Sequence, residues 1–140
     1  MIKIKLTVFI SSTLLCIGCY LNSTKINDTN DIKDAKNYGI EFNSLLFNGK
    51  FEKLYEKYHI PNDVRTVTEI SQDINDLIGT YLSTNFDSVT TERIVNGENR
   101  LYCRLWLTNN HSNGTLRETL FIEERNSVPY WDSLFVQIVE

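Results

Sequence analysis

The chain has 140 residues, 41% hydrophobic, 11% aromatic and 23% charged, with Gly 6, Pro 2, Cys 3 and a formal net charge of −4. So apolar a composition in so short a chain predicts one folded domain and excludes disordered, collagen-like and Gly/Pro-rich repetitive proteins. The acidic balance lacks the lysine and arginine excess with which nucleic-acid binders neutralise phosphates, so no nucleic-acid partner is expected.

The chain opens with Lys3 and Lys5, followed by the uncharged run Leu6 to Cys19; the next charge is Lys25. A positive start, an apolar middle and small residues at its end predict a secretory signal. The apolar part falls short of the roughly 20 residues that cross a bilayer, which disfavours a mature membrane span. The closing run Cys16-Ile17-Gly18-Cys19 resembles the lipobox of bacterial lipoproteins, with Cys16 where leucine is usual. The resemblance implies a signal peptide over 1–18 that is removed before Cys19, and acylation of Cys19, palmitate included. It also implies a lipid bilayer as the first partner and a place in the cell envelope. In an organism with an outer membrane, Tyr20 rather than Asp after the cysteine implies delivery to that membrane, facing the periplasm. A simple cleaved signal and an uncleaved anchor are the alternatives.

Removing the leader takes away Lys3 and Lys5 and no acid, so the basic count falls from 14 to 12 against 18 acids and the mature charge is −6. Acyl chains, and not attraction to anionic headgroups, would then hold the protein at the membrane. Cys16 leaves with the leader and Cys19 carries lipid, so Cys103 has no intramolecular disulfide partner.

Residues 19–31, rich in Asn, Thr, Asp and Ser without a sustained period, read as the lipidated cysteine and a flexible tether. One domain is expected over 32–140. From Ile32 the pattern turns helical: Ala35, Tyr38, Phe42, Leu45 and Leu46 form one stripe, stopped by Asn48-Gly49. Phe51, Leu54, Tyr55 and Tyr58 give a second amphipathic helix that ends at His59-Ile60-Pro61. Thr66 and Glu69 match a capping box for a third, whose apolar face is Val67, Ile70, Ile74, Leu77, Ile78 and Tyr81, with Gly79 near its end. After Thr84 the period becomes two. Strands are expected over Phe86–Val95, Arg100–Thr108, Thr115–Glu123 and Tyr130–Val139. Their turns are Asn96-Gly97, a longer mobile Asn109–Gly114, and Arg125-Asn-Ser-Val. Leu101, Cys103, Leu105 and Leu107 share one face of the second strand; Tyr102, Arg104, Trp106 and Thr108 share the other. In the last strand Tyr130, Leu134, Val136 and Ile138 form one phase and Trp131, Phe135 and Val139 the other, so cover on both sides is expected.

These elements predict an α+β fold, N-terminal helices packed on a curved four-stranded antiparallel sheet. Their order, with the run Phe42 to Tyr58, resembles the cystatin-like/NTF2-like domains of many small bacterial lipoproteins. The resemblance spans 32–140 and speaks to fold more than function, because such folds host enzymes, binding modules and scaffolds alike.

For chemistry, His59 and His111 lack ligands at metal spacing, so no metal is expected; His59 is placed at the end of the second helix and His111 in solvent at a hairpin tip. Cys103 among leucines reads as an inert core thiol. No nucleophile elbow or phosphate-cradling glycine loop occurs, and neither a cofactor nor a catalytic residue is expected. Glu118 and Asp132 are candidate polar groups of a cavity between sheet and helices, since each shares a phase with large apolar neighbours; pairing with Arg104 or Arg117 is the structural alternative. Tyr102, Arg104, Trp106 and Trp131 are candidates for a partner-docking face, being the residue types that dominate interface hot spots. The expected function is therefore non-catalytic binding in the envelope, such as immunity or exclusion. The alternative is a small-ligand binder or NTF2-like enzyme using the cavity.

Overall fold

A computed structural model describes residues 22–61 and 67–139. The order is β1 (Asn22–Ile26), α1 (Thr29–Phe47), α2 (Phe51–Tyr58), α3 (Val67–Ile78), β2 (Tyr81–Asn96), β3 (Asn99–His111), β4 (Gly114–Arg125) and β5 (Val128–Val139). The strands form one sheet in the order β1-β2-β3-β4-β5, each pair antiparallel. The class is α+β, with five described strands where four were expected.

The additional strand lies in the segment read as a tether. Its polar residues hide it, because an edge strand can be held by main-chain pairing alone: Asn22 to Ile26 pair with Asn96 to Glu92. Asn27 then leaves the ladder in the left-handed region, φ 52°. Its N–H donates to Thr91 O and its Oδ1 accepts from Thr91 N–H, both at 2.9 Å. Asp28 caps α1, accepting from Asn30 N–H at 3.0 Å, so the helix starts at Thr29 rather than Ile32. Cys19 and Thr66 lie outside the described residues.

The helices cover one face of the sheet. α1 buries Ala35, Gly39, Phe42, Asn43, Leu46 and Phe47. Gly39 is where helix and sheet touch: a β carbon there would sit 2.7 Å from Leu105 Cδ2. The sheet answers with Leu101, Cys103, Leu105 and Leu107 from β3 and Leu116, Leu120 and Ile122 from β4, all buried. Each fully buried aliphatic side chain contributes roughly 1.5–3 kcal/mol, so this layer is the main source of stability. α2 adds Leu54 and Tyr58, whose hydroxyl donates to Tyr38 O at 2.9 Å. α3 adds Val67, Ile74 and Ile78, but Leu77, placed on the same face by periodicity, is 70% exposed.

Two strand ends differ from expectation for one reason. β2 begins at Tyr81 and β3 runs to His111, so the expected long turn at Asn109–Gly114 shrinks to Ser112-Asn113. That turn is clamped to the end of α3: Ser112 N–H donates to Thr80 O at 2.9 Å and Asn113 N–H to Ile78 O at 3.0 Å. Gly79 allows the clamp, with φ 84° and a position where a β carbon would overlap Ser112 Oγ. His111 is consequently buried, not a solvent-facing tip residue. Its Nδ1 meets Gly79 O at 3.0 Å, and its ring packs edge-on against Phe47 and Tyr81. His59 ends α2 in the left-handed region and lays its ring on Tyr130 at 4.5 Å.

Candidate docking face and buried polar centres

Alternation along β3 sends Tyr102, Arg104 and Trp106 to the face opposite the helices. Pairing brings Glu92 beside Tyr102, Phe121 beside Arg104 and Phe135 beside Thr119 on that face. The Arg104 guanidinium lies over Trp106 at 4.8 Å and over Phe121 at 5.2 Å, and Phe121 meets Phe135 edge-on at 6.0 Å. Tyr102 is 40% exposed. A groove of about 410 Å³ crosses the strands here, bordered by Ile26, Glu92, Tyr102, Phe121, Glu123 and Asp132. Glu123 is held by Arg125 at 2.6 Å and Arg100 at 3.4 Å, which keep its carboxyl below the usual range. Glu92 and Asp132 form no ion pair with the described residues; Asp132 only accepts from Ser133 Oγ at 3.0 Å. The groove therefore joins aromatic rings and the Arg104 guanidinium to two carboxylates that form no ion pair among the described residues.

Trp131 does not join this face. Phe121 pairs with Ser133 but Ile122 with Trp131, so Asp132 is the extra residue of a bulge. The bulge reverses the phase: Trp131 packs against the core with Leu134, while Asp132 turns out to the groove. Asp132 is thus corrected from cavity group to groove group, and Trp131 from docking residue to core neighbour.

Glu118 does point inward. It is buried with Asn109 and Asn43. Asn109 Nδ2 donates to Glu118 Oε2 at 2.5 Å; Asn109 Oδ1 accepts from Asn43 Nδ2 at 2.9 Å and Thr84 Oγ1 at 2.6 Å. Burial pushes the Glu118 carboxyl up to about 8, against the opposing pull of its Asn109 and Asn43 hydrogen bonds. Cys103, 3% exposed, is the free thiol expected, and burial pushes it up to about 12. It is neither a thiolate nor reachable.

A second polar centre was not foreseen. Arg93 donates from Nε to Asp31 Oδ1 at 2.8 Å and from Nη1 to Asn99 Oδ1 at 2.7 Å, with Glu124 Oε1 at 3.4 Å. Tyr38 OH donates to Glu124 Oε2 at 2.7 Å. Burial, and then Glu124, push the Tyr38 phenol up, so it stays a donor. Glu124 shares the phase of Leu120 and Ile122, the same signal that marked Glu118.

No protein-family model, curated protein or solved structure matches the chain. Fold and face thus define a class only: an α+β domain with helices on one side of an antiparallel sheet and an aromatic, arginine-bearing surface on the other. Among the described residues no helix is long and apolar enough to cross a membrane.

Proposed function

We propose that the chain is an envelope lipoprotein, anchored through acylated Cys19, whose cystatin-like or NTF2-like body docks a protein partner non-catalytically. The observation that carries the docking role is the outer groove. Tyr102 presents its ring beside Glu92 and Asp132, which form no ion pair among the described residues, while Arg104 already occupies the Phe121 ring. Rings and carboxylates together suit a lysine or arginine side chain. The partner is therefore a protein with a basic segment, and an excess of acids on this chain would steer its approach. Immunity to a toxin, or exclusion of an entering agent, is a role of this kind.

The test is quantitative capture from envelope extracts by the full-length protein, followed by binding of the purified partner. Trp106→Ala should weaken that partner about tenfold or more by releasing Arg104 and the aromatic floor, and Asp132→Asn should reduce its salt sensitivity. No partner, or equal affinity for wild type and both variants, would sink the reading. For the anchor, metabolic labelling with a fatty acid should mark the wild type and not Cys19→Ser; label retained on that variant refutes the lipobox assignment.

The alternative, a small-ligand binder or NTF2-like enzyme, draws support from Glu118, a buried carboxyl with a raised pKa. Asp132, its expected companion, lies on the opposite face.

A further inference from the structure

The two edges of the sheet are built differently. β1 is five residues of Asn, Ser, Thr, Lys and Ile. Such short, polar, lysine-bearing edges resist pairing with other chains. β5 is twelve residues long, and its proline and bulge, Pro129 and Asp132, stand in its first half. From Ser133 to Val139 it carries no charge, while Phe135 is 65%, Val136 41% and Ile138 38% exposed. From Ser133 on, this edge carries none of the proline, charge or bulge that guard its first half.

We infer that β5 pairs antiparallel with β5 of a second copy, joining two five-stranded sheets edge to edge. A twofold axis at Val136 sets Val136 against its own counterpart, Leu134 against Ile138, and Phe135 against Gln137 of the second copy. Leu134, Val136 and Ile138 pair with Leu120, Glu118 and Leu116 of β4 and so share the helix-side face. That apolar row reads the same in both directions about Val136, as an isologous contact demands of a surface and a foreign strand does not. Charge points the same way. With 18 acids against 14 basic residues, two copies repel; on residues 133–139 they meet with no like charges opposed, and the first acidic pair of this register, Asp132 against Glu140, falls beyond the ladder. A ladder of this length is a small interface, so association in about the micromolar range is expected. Residues 133–139 do not line the outer groove.

The full-length protein in density-matched detergent should sediment as a monomer–dimer mixture that shifts with concentration. Val136→Lys combined with Ile138→Lys, both at exposed positions, should raise the dissociation constant by about tenfold or more with an unchanged circular dichroism spectrum. Val136→Cys should link to itself on mild oxidation, and Phe135→Cys should link to Gln137→Cys when the two are mixed. A monomer throughout the micromolar range, a dimer indifferent to the lysines, or self-linking at Gln137→Cys in place of Val136→Cys overturns the inference.

Discussion

Arg93→Met is expected to lower the stability of the fold by about 3–5 kcal/mol, because it leaves two buried carboxylates without a cation. The Asp31 and Glu124 side chains are 6% and 4% exposed, and among the described residues Arg93 is the cation within 4 Å of both. Its fork also satisfies Asn99, where β3 begins, and Asp31 belongs to the first turn of α1. The guanidinium thus fastens the start of the first helix to the far ends of β2, β3 and β4. Methionine keeps most of the packing volume and removes the charge, so chemical unfolding isolates the electrostatic loss. Adding Asp31→Asn and Glu124→Gln to the same chain should recover most of the deficit, since the uncompensated charges go with them. A single variant as stable as wild type, or a triple variant no better than the single, would show that the pairing carries little of the stability.

Legibility in the sequence followed how far each residue's environment is local. The inner face of β3 was readable because Leu101, Cys103, Leu105 and Leu107 alternate with polar neighbours, and period two leaves one way to bury them. Helix stripes were readable for the same reason. β1 was not, since its five residues bury little and are held by main-chain bonds to β2, which no side-chain pattern announces. Simple alternation puts Trp131 on the wrong face, because a bulge inserts one residue and flips the phase beyond it. The extra residue is visible only as a mismatch between β4 and β5.

Polar residues turned inward were the harder class. Asn109 and His111 read as turn formers, yet each finds a buried partner, Asn43 or Gly79 O, supplied from a distant part of the chain. Of the candidate docking residues, Tyr102, Arg104 and Trp106 do share a face, because they lie on one uninterrupted strand. The groove that Tyr102 and Arg104 border depends on Ile26, Glu92 and Asp132 arriving from three other strands, and that convergence is a property of the register.

Glu118→Gln is expected to leave stability almost unchanged at pH 5 and to raise it by several kcal/mol at pH 9. The folded carboxyl titrates near 8, against 4.5 for an ordinary glutamate. Between those values the folded state holds a proton that the unfolded chain has given up. Stability from this group is therefore fully present below pH 4.5, declines as pH rises, and is lost once pH passes 8. At about 1.4 kcal/mol per pH unit the whole span amounts to about 5 kcal/mol. The geometry explains why the neutral form fits. Glu118 Oε1 is a buried acceptor without a donor, in a cluster where Asn43 Oδ1 is a second. A proton on Oε1 supplies the missing donor. Glutamine does so permanently, its oxygen keeping the Asn109 bond and its amide nitrogen standing where the protonated Oε1 would. Urea unfolding of both proteins across pH 5 to 9 reads the difference directly: the wild-type curve should fall relative to the variant's above pH 5 and run parallel to it above pH 8. Parallel curves over the whole range would mean that Glu118 is ionised in the folded protein, and that its second oxygen finds a donor which the Asn43 and Asn109 amides do not provide.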